Sequence, residues 1–260
     1  MEEPKHLRKA RPMRASVFAR SRVDIIIPFH ACYRNVSKLI ESILVVTRSN
    51  PYQICLVDDC SSNEKYIEQL KGVPQVVCYR TPQQLGFGGA LQFGFERTKQ
   101  PWVVFMHSDC SVDDPGWLIE MGRSLLNWRS KKEPVRMVSA RSNNPGPGMN
   151  ALKAESRVHT RDSVLENGHL PLYCAMCDRD LFDLIGGFIK NYPYAQYEDE
   201  ELAYRMKAYG LKQGICGKSW VRHEGGQTIN YICKKKPEAK QAMEENRNRC
   251  LLDMRLVKNA

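Results

Sequence analysis

Apolar segments that alternate with helical segments are the feature that most constrains the fold of residues 23–107. The first apolar segment, 23–29, is β-branched and carries Pro28 near its end. Such alternation is typical of βαβ units, and it predicts an α/β fold with a Rossmann-like, mostly parallel sheet flanked by helices. The other strands are predicted at 53–59, 73–80 and 101–107, with helices at 36–47, 63–71 and 88–98.

Polar residues follow two of these predicted strands. Asp58 and Asp59 close the second strand, while His107 and Asp109 follow the fourth in "FMHSDC". An ordinary turn explains the segment "FMHSDC", because Ser, Asp and Cys favour caps and turns. A cation and phosphate site is the alternative, because ligands of open α/β sheets bind beyond the carboxyl ends of the strands.

The second half of the chain begins with a segment that has no regular pattern of apolar residues. Residues 141–170 include "RSNNPGPGMN" and have no clear period, and we expect a mobile loop that orders over a substrate. Beyond it the patterns predict a strand ending at 177, helices at 178–185 and from 197 to 210, strand character at 214–223, and a terminal helix at 237–257.

Bulk composition limits the class of protein. The chain has 260 residues, 42% of them hydrophobic, enough for one large domain or two small ones. It has no run of 18 apolar residues and no apolar stretch near its start, so we expect no transmembrane segment, no secretory signal and a soluble cytoplasmic protein. The ten Cys are then expected to be reduced thiols.

The net charge of +10 is concentrated at the two ends of the sequence. Residues 1–22 hold seven Lys and Arg against two acidic residues, and residues 212–260 hold eleven against five. We therefore divide the chain into a basic arm (1–22), a main domain (23–230) and a basic helical tail (231–260). Basic ends of this kind indicate a polyanionic partner, nucleic acid or an anionic lipid surface, or they only aid solubility.

Two further motifs have a chemical and a structural interpretation. The acidic run 198–201 opens a helix, where carboxylates are common because the helix dipole is positive there. Asp199 in that run is also placed to accept a proton from a hydroxyl. "LGFGGALQFG" puts Gly86 and Gly88 just before a helix, where backbone amides can approach a phosphate or nucleoside, although the spacing does not match a dinucleotide fingerprint.

Cysteine and histidine patterns are less specific. Cys174 and Cys177 form a CxxC, but the chain has no second CxxC, and the alternation of "LPLYCAMC" favours a core strand over a zinc site. His223 in "WVRHEGG" is an isolated His, which is usually a satisfied surface or core residue, unless Asp109 is its partner.

Taken in order, several segments resemble the family-2 glycosyltransferases with the GT-A fold. The resemblance covers roughly residues 23–223, and the double Asp and the Glu-Asp before a helix are its most specific parts. The matching segments are "VDIIIPFH", "LVDDCSS", "LGFGGALQFG", "FMHSDC", "CAMCDRDLFDLIGGF", "YEDEELAYRMKAYGLK" and "VRH".

The resemblance implies a role for each matching residue. Asp199 matches the general base of the inverting members, and Glu198 is expected to contact the acceptor or hold the base. Asp109 matches the metal-binding carboxylate and His223 a further ligand, for Mn²⁺ or Mg²⁺. The implied nucleotide-sugar contacts, with Asp59 on a base that is commonly uracil, are Pro28, Phe29, His30, Asp58, Asp59, Gly86, Gly88, His107 and Ser108.

One departure from the family pattern concerns the metal. His107 stands where the family has the first Asp of its Asp-any-Asp signature, so one negative charge is absent. A neutral imidazole can still bind a ribose hydroxyl or a borderline metal. The segment "GGFIKN" also lacks the acidic residue often found after GGF. We nevertheless expect an active, metal-dependent and inverting enzyme.

The resemblance does not identify the acceptor of the sugar. The basic ends favour a hydroxymethylated DNA base, reached from a UDP-sugar donor, with Arg8, Lys9, Arg11, Arg14, Lys234, Lys235 and Lys236 as candidate phosphate contacts. A glycan, lipid-linked or protein acceptor is the alternative. A non-catalytic nucleotide-sugar-binding module is the third hypothesis, favoured only by the altered metal signature.

Overall fold

The structure is a computed structural model that describes residues 18, 20–48, 50–63, 65–70, 72–147, 149–189 and 192–258. The strands in these ranges are β1 (Val23–Phe29), β2 (Tyr52–Asp58), β3 (Val76–Arg80), β4 (Trp102–Met106), β5 (Cys110–Ser111), β6 (Val135–Ser142), β7 (Ser163–Val164), β8 (Cys174–Asp178) and β9 (Lys212–His223). The helices are α1 (Tyr33–Val46), α2 (Lys65–Leu70), α3 (Gly86–Phe95), α4 (Trp117–Ser130), α5 (Asp180–Ile185), α6 (Glu198–Ala208), α7 (Gln227–Lys235) and α8 (Glu238–Lys258).

A single mixed sheet organises the described residues, in the order β3-β2-β1-β4-β8-β6-β9-β5, with β7 paired to β9. The four strands β1 to β4 are parallel, as the sequence predicts. Strands β6 and β9 run in the same direction as these four, so the sheet is mostly parallel, as predicted. Strand β8 departs from this direction, since it runs antiparallel to both β4 and β6.

The two faces of the sheet bury separate hydrophobic clusters. In β1, Ile25 and Ile27 belong to one cluster and Ile26 to the other, because successive strand side chains point to opposite faces. The first face is covered by α1, α2 and α4, and α1 contributes Val36, Leu39, Ile40 and Ile43. The second face is covered by α3, α5 and α6. The sheet thus lies between two helical layers.

The CxxC is part of this core. Cys174 and Cys177 are both fully buried on β8, and they belong to clusters on opposite faces of the sheet. Two side chains on opposite faces cannot share a metal ion, so the core interpretation of this motif is supported.

The segment 143–171 lies along β9 in the structure. The backbone N–H of Thr160 donates to the Gly217 carbonyl oxygen at 2.9 Å, and the Trp220 indole N–H donates to the Ala154 carbonyl oxygen at 2.9 Å. The expected closure of this segment over a substrate stays a prediction.

The C-terminal helices pack against the main sheet domain. Helix α7 spans residue 230, where the sequence suggested a boundary between the main domain and the tail. In α8, Asn246 is fully buried and donates to the carbonyl oxygens of Pro193 and Ala195. Helices α7 and α8 occupy most of this part of the chain, and the division into a main domain and a tail stays a prediction. None of the helices in the described ranges has the length and apolar character needed to cross a bilayer.

Candidate active site

A cavity of about 480 Å³ opens at the carboxyl ends of the parallel strands. It brings together residues that are distant in the sequence, from the ends of β1 and β4, the start of α6 and the end of β9. The predicted site residues that line it are Pro28, Phe29, His30, Asp59, His107, Ser108, Asp109, Glu198, Asp199 and His223.

Sheet pairing explains why His107, Asp109 and His223 meet. His107 and Asp109 lie in the turn that links β4 to β5. In the antiparallel pair of β5 and β9, Cys110 lies directly opposite His223. The Glu224 N–H also donates to the Asp109 carbonyl oxygen at 3.0 Å. The backbone therefore holds the three side chains together without any ligand.

The three side chains form a compact triangle of metal-ligand atoms. His107 Nδ1 lies 3.2 Å from His223 Nε2, His223 Nε2 lies 3.3 Å from Asp109 Oδ1, and His107 Nδ1 lies 3.9 Å from Asp109 Oδ1. The point equidistant from the three atoms is about 2.0 Å from each, which is the usual range for metal bonds to nitrogen and oxygen. These residues therefore fit a single divalent cation.

Hydrogen bonds around the triangle orient its ligand atoms. His223 Nδ1 lies 2.7 Å from the Asn144 carbonyl oxygen, to which only a protonated nitrogen can donate. With Nδ1 protonated, Nε2 is the nitrogen that faces Asp109: it carries a proton when it hydrogen-bonds the carboxylate, and a lone pair when a cation is bound. Asp109 Oδ2 accepts the Gln227 N–H at 3.2 Å, which leaves Oδ1 for the triangle.

The electrostatics also favour a cation. Burial alone would raise the pKa of Asp109, but its hydrogen bond with His223 and the charges of His107 and His223 lower that pKa to about 2. Burial and the neighbouring His223 lower the pKa of His107 to about 4, although Asp109 opposes this. Near neutral pH the cluster holds a carboxylate and a neutral His107 imidazole, which are the forms that bind metals.

Acidic residues at the start of α6 form the second polar part of the cavity. Asp199 Oδ1 accepts the Glu200 N–H at 3.0 Å. Burial and the nearby Asp199 raise the pKa of Glu198 to about 8. Burial raises the pKa of Asp199 as well, while the charge of His169 lowers it. Glu198 Oε2 is buried without a hydrogen-bond partner among the described residues, so a ligand donor or acceptor can satisfy it.

The backbone that leads into α6 is conformationally unusual. Tyr194, Gln196 and Tyr197 all have positive φ angles, of 64°, 80° and 74°. Non-glycine residues seldom adopt this region, and such residues concentrate at functional sites. The strained turn sets where Glu198 and Asp199 enter the cavity.

Asp59 faces the cavity but is already strongly engaged. Its Oδ1 accepts the Leu85 N–H at 2.7 Å and the Thr81 hydroxyl at 3.1 Å, and its Oδ2 accepts the Gly86 N–H at 2.9 Å. It therefore anchors the start of α3, where a negative charge also favours the helix dipole. A contact with a nucleotide base must share these oxygens.

Three of the predicted donor-binding residues are not among the described residues that line the cavity. Asp58 is fully buried, accepts the Ser61 N–H at 2.9 Å and forms an ion pair with Arg80. Gly86 has a φ of 76° in the turn before α3, and Gly88 lets α3 pack closely against Glu198. The structure gives all three a supporting role, and their contact with a donor stays a prediction.

His30 and Phe29 reach the cavity in different ways. His30 Nδ1 lies 2.8 Å from the Asp59 carbonyl oxygen, and its ring lies 6.2 Å from that of Tyr231 on α7. The Phe29 ring packs edge-on against Tyr33 and Tyr66 in the core. The backbone of Phe29, more than its side chain, is therefore available to a ligand.

Other cavity residues escaped the sequence analysis. His169 lies in the polar stretch "ENGHLPLY", which carries no period or motif. Helix α7 lines the cavity with Gln227, Thr228, Ile229 and Ile232, but its short sequence gave no clear helical signal. Only the fold brings these residues to the strand ends.

The family comparison agrees with this geometry. Residues 24–130 match the family model described as Glycosyl transferase family 2. This segment is similar to glycosyl transferase family 2. The match ends at α4, so it contains His107 and Asp109 but not Asp199 or His223. No curated protein sequence matches the chain.

Solved glycosyltransferase structures share the fold, which confirms the GT-A fold class. The mannosyltransferase PcManGT from Pyrobaculum calidifontis, in complex with GDP-Man and Mn²⁺, is 15% identical with a TM-score of 0.62, and the match covers 83% of this chain and 61% of that one. GalNAc-T7 with UDP, GalNAc and Mn²⁺ is 15% identical with a TM-score of 0.61, covering 85% of this chain and 51% of that one. TarS residues 1–349 from S. aureus is 12% identical with a TM-score of 0.59, covering 85% and 69%. The match thus spans between half and slightly over two thirds of these longer chains.

Proposed function

We propose that the protein is a glycosyltransferase that moves a sugar from a nucleotide diphosphate sugar, with UDP as the first candidate nucleotide, to an acceptor hydroxyl. The observation that carries the proposal is one cavity that holds both a cation-binding triangle and an acidic pair, with Glu198 buried and Asp199 partly buried. A glycosyl transfer needs these two functions: stabilisation of a departing diphosphate and removal of a proton from the acceptor.

The triangle of His107, Asp109 and His223 would hold a divalent cation, Mn²⁺ or Mg²⁺. When bound, such an ion neutralises negative charge on the diphosphate as it leaves. His30 and the backbone of Pro28 and Phe29 would contact the nucleoside. Asp59 would hold the start of α3 in position and share its carboxylate with the base.

Asp199 would be the general base. As the acceptor oxygen forms its bond to the anomeric carbon, its proton passes to Asp199, and the electron pair of the broken carbon–oxygen bond leaves with the diphosphate. A single displacement of this kind inverts the configuration at the sugar carbon. Glu198, protonated near neutral pH because of its raised pKa, would donate a hydrogen bond to the acceptor or the sugar.

For the acceptor, we propose a hydroxymethylated DNA base as the first candidate. Lys234 and Lys235 support this choice, because both are exposed at the end of α7, the helix that also lines the cavity. A glycan, lipid-linked or protein acceptor is the second candidate. Exposed Leu251 and Leu252 on α8 favour a lipid surface in particular. The basic residues of 1–17 lie outside the described residues.

The test of the proposal is a panel of nucleotide sugars, with and without Mn²⁺, assayed for release of the nucleoside diphosphate and for transfer to modified DNA and to glycan acceptors. Asp199→Asn should lower turnover at least about a hundredfold, the usual contribution of a general base, with donor binding retained. Glu224→Gln, an exposed carboxylate beyond β9, is the control and should keep full turnover. Near-full activity of Asp199→Asn would contradict the assignment.

A further inference from the structure

His169 is a cavity residue to which the proposed mechanism assigns no role. Its Nε2 lies 3.5 Å from Asp199 Oδ2, and its Nδ1 lies 4.0 Å from Glu200 Oε1. The imidazole side chain is 19% exposed, so it is part of the cavity wall and not of the outer surface. The imidazole therefore faces two carboxylates of α6 at once.

The position of His169 is set by the hydrophobic core. The next residue, Leu170, is fully buried, and its N–H donates to Gln213 Oε1 at 2.9 Å. Gln213 is itself buried on β9. Just before His169, Gly168 has a φ of 85°, a conformation that turns the chain toward the cavity. This anchoring distinguishes His169 from a side chain on a free surface loop.

The two oxygens of Asp199 have different neighbours. Oδ1 accepts the Glu200 N–H at 3.0 Å, whereas Oδ2 faces His169. Oδ2 is consequently the oxygen whose direction depends on a side chain from another element.

Burial opposes the ionisation of Asp199, whereas the Glu200 N–H favours it. Glu198 and Glu200 flank Asp199 on α6. His169, from the segment before β8, is the group whose positive charge or N–H favours the ionised form. The other titratable groups on the cavity wall, among the described residues, are His30, Asp59, His107, Asp109, Tyr194, Tyr197 and His223.

We propose that His169 is a positioning residue, which orients Oδ2 of Asp199 toward the acceptor hydroxyl and keeps that carboxylate ionised. The proposal rests on the proposed function for the identity of the base. Asp199 takes the acceptor proton as the new sugar–oxygen bond forms, and it later releases the proton to solvent. His169 acts through Asp199 and neither bonds to the substrate nor transfers a proton to it.

The decisive experiment is a carboxyl ¹³C NMR titration of the full-length protein, which needs no substrate. The Asp199 resonance is assigned from its loss in Asp199→Asn. In His169→Gln the Asp199 pKa should rise by about one unit, because the favourable charge is lost. His169→Lys, which retains a positive charge, should bring the pKa back to or below its wild-type value. His159→Gln, an exposed imidazole of the preceding segment, is the matched control and should cause no shift.

The kinetic counterpart is the pH profile of UDP-glucose hydrolysis with Mn²⁺. A base works when deprotonated, so a raised pKa moves the acidic limb of kcat/KM in His169→Gln to higher pH by the same amount. An unchanged Asp199 titration in His169→Gln, or an equal shift in His159→Gln, would overturn the role of His169. A wild-type protein that uses no nucleotide sugar would overturn the proposed function instead, while the NMR titration would still decide the effect of His169.

Discussion

At the scale of single residues, His107 determines the chemistry of the cation triangle. An Asp at this position would give two carboxylates and one imidazole, whereas this chain has two imidazoles and one carboxylate. Imidazole nitrogen suits Zn²⁺, Co²⁺ and related ions, while Mg²⁺ prefers carboxylate and water oxygens. The substitution thus alters which ions the same geometry can bind well.

We therefore expect wild-type protein to bind Co²⁺ or Mn²⁺ at least about tenfold more tightly than Mg²⁺. His107→Asp should narrow this ratio, since it adds a negative oxygen ligand that favours Mg²⁺. Calorimetric titration with each metal alone measures both effects. His159→Asp adds the same charge at an exposed position and should leave the ratio unchanged. Equal affinities in wild-type protein and His107→Asp would exclude His107 as a ligand.

The raised pKa of Glu198 also predicts how stability depends on pH. In the folded protein this carboxyl holds its proton up to about pH 8, while in the unfolded chain it loses the proton near pH 4.5. Its stabilising contribution is thus complete below pH 4.5 and is lost as the pH rises toward 8. Glu198→Gln, which mimics the protonated group, avoids this loss.

We expect Glu198→Gln and wild-type protein to have the same free energy of unfolding at pH 4.5. At pH 8 the variant should gain on the order of 1 to 3 kcal/mol over wild-type protein. Urea unfolding followed by circular dichroism at both pH values measures the difference. A constant difference between the two proteins at both pH values would show that Glu198 titrates normally.

At the scale of elements, the turn before α3 lies between Asp59 and the backbone segment that leads into α6. Gly86 donates its N–H to Asp59 and adopts a φ of 76°. A Cβ at this position would lie 2.8 Å from both the Tyr192 carbonyl oxygen and the Tyr194 backbone nitrogen. The glycine lets the start of α3 approach the strained backbone that leads into α6.

Gly86→Ala should therefore destabilise the protein by about 2 to 4 kcal/mol, through both backbone strain and the steric clash. Gly210→Ala is the matched control, since Gly210 has a φ of 69° but a Cβ added there would meet no atom within 4 Å. It should cost only the strain, about 1 to 2 kcal/mol. Chemical denaturation gives both values, and equal losses would show that the close approach at Gly86 is unimportant.

At the scale of the whole molecule, the charge distribution gives a test of the acceptor. Lys234 and Lys235 are exposed at the end of α7, whereas Lys236 donates to Gln84 Oε1 at 2.7 Å. Replacing only Lys234 and Lys235 by Ala removes charge without breaking that hydrogen bond. For each lysine that binds a phosphate in the wild-type protein, its removal should lower the slope of log affinity against log salt by about 0.9.

DNA binding measured over a range of salt concentrations should therefore show a flatter slope for Lys234→Ala with Lys235→Ala. The paired control is Lys131→Ala with Lys132→Ala, two exposed lysines at the end of α4, which should keep the wild-type slope. Neither pair should alter nucleotide-sugar hydrolysis. If wild-type protein has no affinity for DNA at about 50 mM salt, the DNA acceptor is excluded and a glycan, lipid-linked or protein acceptor takes its place.

Local patterns in the sequence determined most of the elements and the residues at the strand ends. Strands β1, β2 and β4 and helix α6 were predictable because their signals, β-branched apolar runs and an acidic helix start, lie within about ten consecutive residues. The pairing of Asp109 with His223 was also anticipated, through the resemblance to a family. Helix α4 and strand β6 were not predicted from the sequence, although both carry several buried apolar residues.

Only the tertiary structure decided which of these residues share the cavity. The antiparallel entry of β8 depends on pairing between distant segments, which periodicity within one strand does not encode. His169 and α7 reach the site for the same reason, since their placement depends on contacts with β9 and with Asp109. Asp58 and Asp59 are adjacent in the sequence, yet one pairs with Arg80 in the interior and the other faces the cavity. Successive side chains leave a strand in opposite directions, and packing selects which direction meets a ligand.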